Sequence, residues 1–203
     1  MIITKITESS KNFSKIYADG EFLMPLANEI IKKHSLSVGS EIDAEKFSEL
    51  SHLSLVRKAR ERMLYALDRR LHSEKELRDK LKMDYPPEVI DEAIEILKGL
   101  NLIDDRRFAL AFASDRKSFS KKGPRIVAAE LYQKGVSREI IDEAIEVAFC
   151  DKEEQLETAI RLISKYESEI HSPNGKRKAY AMLSRRGFEG SVINEAIRYL
   201  ERE

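Results

Sequence analysis

The sequence predicts a mainly α-helical protein: three tandem three-helix repeats of helix-turn-helix-like form, making an elongated curved array, preceded by a small N-terminal module of β-hairpin or β-sheet plus helix. Two observations predict this class. One phrase recurs three times, a leucine followed by a turn, a β-branched pair and Ala-Ile. Apolar residues also keep helical spacing from about residue 54 onward. A period of about 50 residues indicates stacked units, none of which can bury its apolar face alone.

The recurring phrase aligns on Leu81, Leu131 and Leu183. After the turn, the three copies run Val89–Ile94, Ile140–Ile145 and Val192–Ile197. This register divides the chain into an N-terminal module and three repeats, called repeat 1, repeat 2 and repeat 3, with the limits 1–53, 54–103, 104–151 and 152–203.

Composition excludes several classes of protein. Hydrophobic residues make up 42% of the 203 residues, which is enough for a core, and no apolar stretch is long enough to cross a bilayer. The 36 basic and 36 acidic side chains cancel, so any nucleic-acid binding depends on how charge is distributed. The single cysteine, Cys150, excludes an internal disulfide. Together with the absence of a secretory signal it indicates the cytoplasm, and its place after an apolar helix face predicts a buried or half-buried thiol.

The first 50 residues combine strand and helix signals. Three strand segments are predicted, with the tight-turn signal Asp19-Gly20 between the last two: residues 2–7, 13–17 and 21–23. This antiparallel unit is expected to pack on a helix at residues 26–34, because an isolated hairpin is only marginally stable. Asp43 is the expected N-cap of a further helix that runs through Leu50.

Apolar stripes and capping residues predict the helices of the repeats. In repeat 1 a stripe from Leu55 to Leu67 forms the first helix, Ser73 caps the second, and Pro86-Pro87 begins the third. The boundary signals in repeats 2 and 3 are Asp104, Gly123, Gly135, Ser137, Lys152, Ser172 and Gly187.

Nothing in the sequence indicates an enzyme, a metal site or a cofactor. The four histidines stand alone, without a second ligand at metal-binding spacing, and are predicted to be surface or half-buried residues: His34, His52, His72 and His171. The sequence contains no Gly-rich phosphate loop and no serine or cysteine in a nucleophile motif.

The informative feature is the segregation of charge between helices. The second helix of each repeat is basic, whereas the third helices are acidic, as in Glu88–Glu95 and Glu139–Glu146. Stacked repeats place equivalent helices along one side, so the cations could form a stripe for a phosphate backbone or a charged protein groove. The alternative is that these charges only solvate helix faces and complement helix dipoles. The candidate binding residues are Arg69, Arg70, Arg78, Lys117, Lys121, Lys122, Arg125, Lys176, Arg177, Lys178, Arg185 and Arg186.

The best single candidate is the segment 121–125, KKGPR. It places cations at a helix N-terminus, where free N–H groups favour anions, although an ordinary start of a helix explains it equally well. Phe119 and Tyr132 lie beside basic residues and could stack on bases. Partial or complete burial is the favoured interpretation for both rings, because that is the usual fate of aromatic side chains.

Several segments resemble the RecX family, bacterial regulators of the RecA recombinase. The residues that carry the resemblance are Ser73–Leu81, Val89–Ile94, the junction Leu100–Ala109 (LNLIDDRRFA), Lys122–Ile126 (KGPRI) and Glu130–Val136 (ELYQKGV). The likeness covers about residues 55–203, and residues 2–50 resemble the extra N-terminal module of longer members. Repeat 3 departs from it, with SPNGKR where repeat 2 has KKGPR.

The resemblance implies tandem three-helix repeats and a protein that is not an enzyme. It also implies binding to RecA and to the groove of the RecA filament on single-stranded DNA, with inhibition or remodelling of that filament, in DNA recombination, DNA repair and the SOS response. The first hypothesis is therefore a cytoplasmic, monomeric regulator of RecA with at most weak DNA binding of its own. The alternatives are a direct helix-turn-helix DNA-binding protein, which the acidic third helices disfavour, and an adaptor for another protein.

Overall fold

The structure, a computed structural model, describes residues 1–202. It is mainly α-helical, with a three-stranded sheet at the N-terminus. The elements in chain order are β1 (Ile3–Ser10), β2 (Phe13–Ala18), β3 (Glu21–Ala27), α1 (Asn28–Lys33), α2 (Ala44–Arg69), α3 (Glu74–Leu81), α4 (Pro87–Gly99), α5 (Asp105–Ser118), α6 (Pro124–Gln133), α7 (Arg138–Ala148), α8 (Lys152–Ile163), a 3-10 segment (Ser164–Glu169), α9 (Pro173–Arg185) and α10 (Gly190–Leu200).

The described chain forms two compact units. Unit 1 contains residues 1–71 and 77–103, and unit 2 contains residues 72–76 and the chain from residue 104 onward. Unit 2 therefore holds repeats 2 and 3 together with the first residues of α3, and each unit is described by itself below.

The predicted antiparallel sheet is confirmed, in the order β1-β2-β3. The predicted helix at 26–34 begins two residues later, because Leu26 continues β3 and pairs with Ser14. The sheet also packs on α2, where the Ser54 hydroxyl donates to the carbonyl oxygen of Pro25 at 2.7 Å. Leu50 on α2 is fully buried in the same core, so the long helix supplies much of the apolar surface that the sheet needs.

One continuous helix replaces two predicted ones. The sequence separates a helix near Leu50 from another that starts near Ser54, but α2 runs without a break over 26 residues. No Gly or Pro interrupts this stretch, so the chain has no physical reason to leave the helix. Asp43 caps it as predicted, accepting from the N–H of Lys46 at 2.7 Å. The limit at residue 53 falls inside α2, and the division into four segments stays a prediction.

The predicted caps at Ser73 and Ser137 are confirmed, and Asp104 and Ser172, which the sequence marks only as boundaries, are caps as well. Ser73, Asp104 and Ser172 accept hydrogen bonds from backbone N–H groups three residues on, at 3.2, 3.0 and 3.0 Å. Gly135 and Gly187 adopt φ of 77° and 85° in the turns before α7 and α10, a left-handed conformation that favours glycine.

The recurring β-branched pair is the inner face of each third helix. Val89 and Ile90 are buried in repeat 1, Ile141 in repeat 2, and Val192 and Ile193 in repeat 3. Burying an aliphatic side chain of this size stabilises a fold by about 1.5–3 kcal/mol. The β-branched pair therefore recurs in the sequence because each third helix packs in the same way.

Candidate functional site

Repeats 2 and 3 meet where the N-terminus of α6 contacts the turn between α9 and α10. The N–H of Gly123 donates to the carbonyl oxygen of Arg186 at 2.7 Å, and the N–H of Arg125 donates to that of Gly187 at 3.1 Å. The guanidinium of Arg186 donates to the carbonyl oxygen of Ser120 at 3.1 Å. Residues 119–126 and 185–188 are called the repeat 2–3 joint below.

Two glycines make this approach possible. A Cβ on Gly123 would lie 2.5 Å from backbone atoms of Gly187 and Phe188. A Cβ on Gly187 would lie 2.5 Å from the backbone nitrogen of Ile126. Glycine at both positions is therefore required by the packing of one backbone on another.

The same contact occurs one repeat earlier, within unit 2. Ser73, which aligns with Gly123, donates its hydroxyl to the carbonyl oxygen of Lys134 at 2.7 Å. Lys134 aligns with Arg186. The ammonium of Lys75 donates to the carbonyl oxygen of Gln133 at 3.0 Å. The turn of one repeat thus docks on the start of the second helix of the repeat before it.

The equivalent end of repeat 3 is covered by its own chain. The 3-10 segment, which the sequence did not predict, ends at Glu169 beside the start of α9. The Ser172 hydroxyl donates to the carbonyl oxygen of Glu169 at 2.8 Å, and Lys178 forms an ion pair with its carboxylate at 2.8 Å. A Cβ on Gly175 would collide with the same carbonyl oxygen.

The prediction that backbone N–H groups at the start of α6 are free to bind an anion is wrong. The N–H groups of Gly123 and Arg125, expected to be free for an anion, donate to the turn of repeat 3. Lys122 forms an ion pair with Glu130 on α6. Only the side chains of Lys121 and Arg125 in this segment remain without an ion pair in residues 1–202.

Glu130 is the carboxylate next to the joint. Partial burial alone would raise its pKa, but hydrogen bonds from Lys122 and Arg116 outweigh burial and hold the pKa of Glu130 below its ordinary value. The Arg116 Nε donates to its carboxylate at 3.0 Å. This carboxylate joins α5, α6 and the loop between them, and it neutralises two cations that would otherwise belong to the basic surface.

Of the twelve candidate cations, most have partners within their own unit. Ion pairs and hydrogen bonds join Arg70 to the Leu71 carbonyl, Arg78 to Asp91, Lys117 to Glu154, Lys122 to Glu130, Lys176 to Glu201, Arg177 to Asn174, Lys178 to Glu169, and Arg186 to the Ser120 carbonyl. Within the part of the chain that the structure describes, no ion pair involves Arg69, Lys121, Arg125 or Arg185.

Lys121, Arg125 and Arg185 belong to the repeat 2–3 joint, and all three are exposed. We call them the joint cations. Residues 176–178 lie near the opposite end of α9, about 15 Å along the helix axis from Arg186. The structure therefore places three of the predicted cations in the joint and leaves those at 176–178 outside it.

The expected burial of two aromatic rings is wrong. Phe119 is 84% exposed and lies in the joint, and Tyr132 is 74% exposed near the end of α6. Phe108 is buried, and Phe112 packs against it with ring centroids 5.7 Å apart. Phe108 is thus buried with the partly buried Phe112 packed against it, whereas Phe119 and Tyr132 are exposed to solvent.

Two smaller expectations also fail. Cys150 is exposed, and His72 is buried with 5% of its surface accessible.

In residues 1–202 no group of three or more His, Cys, Asp or Glu side chains is arranged to hold a metal ion. Across the same residues, no helix combines the length and the apolar character needed to span a membrane.

Comparison with protein families gives four matches along the chain. Residues 1–43 match the regulatory protein RecX N-terminal domain. Residues 59–97, 104–145 and 153–197 match the first, second and third three-helix domains of RecX.

Similar proteins and solved structures agree with these matches. The regulatory protein RecX of Clostridium beijerinckii is 32% identical over 97% of this chain and 94% of that protein. That of Bacillus velezensis is also 32% identical, over 99% of this chain and 78% of that protein. A crystal structure of regulatory protein RecX superposes with a TM-score of 0.80 at 28% identity, covering 100% of this chain and 99% of that one. The crystal structure of RecX from Lactobacillus salivarius superposes with a TM-score of 0.67 at 26% identity, covering 73% of this chain and 98% of that one.

Proposed function

This chain belongs to the RecX family of regulatory proteins, and we propose that it binds the RecA recombinase and RecA–DNA filaments and inhibits recombinase activity in homologous recombination and DNA repair. The protein is proposed to act as a cytoplasmic monomer, with weak DNA binding of its own. The family is regulatory rather than enzymatic.

The joint cations are the observation that carries the proposal. Lys121, Arg125 and Arg185 are exposed, lie on two adjoining repeats and have no ion pair in residues 1–202. An exposed cation already paired with a carboxylate gains little from a second anion, whereas an unpaired one is available to a phosphate or a carboxylate. The backbone hydrogen bonds from Gly123 to Arg186 and from Arg125 to Gly187 hold the two repeats together, so the cations are presented by a fixed surface.

The alternative, direct reading of duplex DNA by helix-turn-helix units, has less support. The third helix would be the recognition helix. On α7 the carboxylates of Glu139, Asp142 and Glu146 are exposed, and a groove edged by phosphates would repel them. Recognition helices normally present Arg, Lys or Asn to base edges. The acidic third helix therefore favours contact with protein over insertion into a groove.

The experiment measures ATP hydrolysis and strand exchange by purified RecA on single-stranded DNA while this protein is titrated in. We expect inhibition at or below equimolar protein. A variant with Lys121→Gln, Arg125→Gln and Arg185→Gln should need at least about tenfold more protein for half-inhibition, since each lost charged contact is worth roughly 1 kcal/mol or more.

A matched variant carries Arg107→Gln, Lys152→Gln and Arg161→Gln. These residues are also exposed and in unit 2, and they have no ion pair in the described chain, so both variants have the same net charge. The matched variant should inhibit like the wild type. Equal weakening of both variants would assign the effect to net charge, and absence of inhibition by the wild type would refute the proposed function. Tight, sequence-dependent binding to duplex DNA without RecA would favour the alternative.

A further inference from the structure

Unit 1 contains an amphipathic cleft that the proposed function does not use. It has a volume of about 430 Å³ and is bordered by α1, α2 and α4. Its apolar lining consists of Ile30, Leu53, Val56 and Ile96. A volume of this size lies within the usual range of small-ligand sites and accommodates a few side chains of a bound peptide.

Some of the charged side chains that line the cleft form ion pairs. Arg57 is 2.9 Å from the Glu29 carboxylate and 3.2 Å from that of Glu61. Glu92 is 2.6 Å from the imidazole of His52.

Two further cations line the same cleft, Lys33 and Arg60. Neither forms an ion pair in residues 1–202. The Nε of Arg60 is buried and has no hydrogen-bond partner among the described atoms. A buried N–H group without an acceptor lowers the stability of the fold, and the cost is larger when the group is charged. Arg60 as a whole is only partly buried and lines the cleft, so its two terminal nitrogens can bind a carboxylate through parallel hydrogen bonds.

We propose that this cleft binds an acidic and apolar segment of a protein partner. An apolar side chain of the segment packs on Leu53 and Ile96, which are partly exposed in the cleft, and a neighbouring carboxylate binds Arg60 and Lys33. Charge complementarity assigns the occupant, since the unpaired groups are both cations and the lining beside them is aliphatic. The proposal stands whether or not that partner is RecA.

A nucleic acid fits the cleft less well. Glu29 and Glu92 line it too, and a continuous run of phosphates would pass close to both carboxylates. The lining holds no aromatic ring on which a base could stack. A single carboxylate between apolar side chains avoids both problems, because it needs only the two unpaired cations.

The test follows methyl resonances of the full-length protein during titration with the peptide acetyl-Leu-Asp-Leu-Asp-Leu-Asp-amide. We expect the methyl signals of Ile30, Leu53, Val56 and Ile96 to shift. Arg60→Gln should weaken the apparent affinity about tenfold, the equivalent of one charge-assisted hydrogen bond. Arg60→Lys, which keeps the charge but not the guanidinium fork, should fall between Arg60→Gln and the wild type.

Lys80→Gln is the matched control, because Lys80 is exposed in unit 1 and does not line the cleft. It should bind the peptide like the wild type. Equal binding of Arg60→Gln and Lys80→Gln would overturn the proposal, as would the absence of shifts at millimolar peptide. Shifts at the same methyl groups caused equally by oligo-dT, or by the peptide with Lys in place of Asp, would also overturn it. Thermal unfolding of each variant identifies any loss of fold, and Arg60→Lys keeps the test valid if Arg60→Gln unfolds.

Discussion

The N–H of Gly123 donates to the carbonyl oxygen of Arg186 at 2.7 Å, and one repeat earlier the hydroxyl of Ser73 donates to that of Lys134 at the same distance. The two contacts occupy aligned positions but use different donors, a backbone group in one case and a side chain in the other. Stacked repeats are stabilised by such nearest-neighbour interfaces. Substitutions at these two contacts therefore test how strongly neighbouring segments of unit 2 stabilise each other.

Gly123→Ala should destabilise the protein by about 1–3 kcal/mol, the usual cost of overpacking. The added Cβ would lie 2.5 Å from the backbone of Gly187 and Phe188, so the start of α6 and the turn of repeat 3 must separate. Urea denaturation followed by circular dichroism measures the free energy of unfolding. The control is Gly99→Ala, where a Cβ has no heavy atom within 4 Å and the unfolding free energy should stay equal or rise slightly. Equal losses in the two variants would contradict the packing argument.

Ser73→Ala should lower the free energy of unfolding by about 1–2 kcal/mol. The substitution removes the cap on the N–H of Glu76 at 3.2 Å and the donor to the carbonyl oxygen of Lys134. Ser137→Ala is the comparison, because Ser137 caps the N–H of Ile140 at the longer distance of 3.5 Å. Chemical denaturation of both variants should show the larger loss for Ser73→Ala. A loss for Ser73→Ala no larger than the cost of a single cap, about 1 kcal/mol, would argue against a contribution from the contact with Lys134.

The sequence predicts the fold well because its strongest signals are local. The caps at Ser73, Asp104 and Ser172, and the turn at Gly187, each depend on residues a few positions apart. The boundary between predicted helices near residue 53 fails because local signals do not say whether two apolar stripes belong to one helix. The 3-10 segment has no periodic pattern of its own, and it forms where the carbonyl of Glu169 can meet the start of α9.

The candidate site was predictable only in part. The sequence shows that Lys121, Arg125 and Arg185 are positively charged. It does not show which cations form ion pairs with carboxylates, because that depends on how the helices pack. Lys122, in the loop before α6, pairs with Glu130 and so leaves the set of unpaired candidates, and Arg116 on α5 reaches the same carboxylate only after α5 and α6 pack. Gly123 is the sequence feature that points to the contact between repeats 2 and 3, since glycine at the start of a helix permits a close approach of another backbone.

Glu130→Gln should make the protein less sensitive to acid. The pKa of Glu130 is lowered in the folded state, so its contribution to stability is present above the unfolded value, near pH 4.3–4.5, and is lost as pH falls through the folded pKa. At pH 7 we expect Glu130→Gln to be about 1–2 kcal/mol less stable than the wild type, the size of a charge-assisted hydrogen bond. Below about pH 4 the difference should shrink.

Denaturation at several pH values between 3 and 7 measures this difference. The control is Glu157→Gln, because Glu157 is exposed and forms no ion pair in residues 1–202. Its stability should follow the wild-type curve throughout. A difference between Glu130→Gln and wild type that does not change with pH would exclude the ion pairs as its cause.

If the protein inhibits RecA filaments as proposed, Phe119→Ser should weaken that inhibition without weakening the fold. The ring is 84% exposed, so its loss should change the free energy of unfolding by no more than about 0.5 kcal/mol. If the ring stacks on a base of the filament DNA, its removal should raise the protein concentration for half-inhibition of RecA ATP hydrolysis about tenfold. Met83→Ser, at a side chain 86% exposed in unit 1, is the control and should change neither quantity. Unchanged inhibition by Phe119→Ser would place the ring outside the contact, and reduced stability would show that it packs in the fold after all.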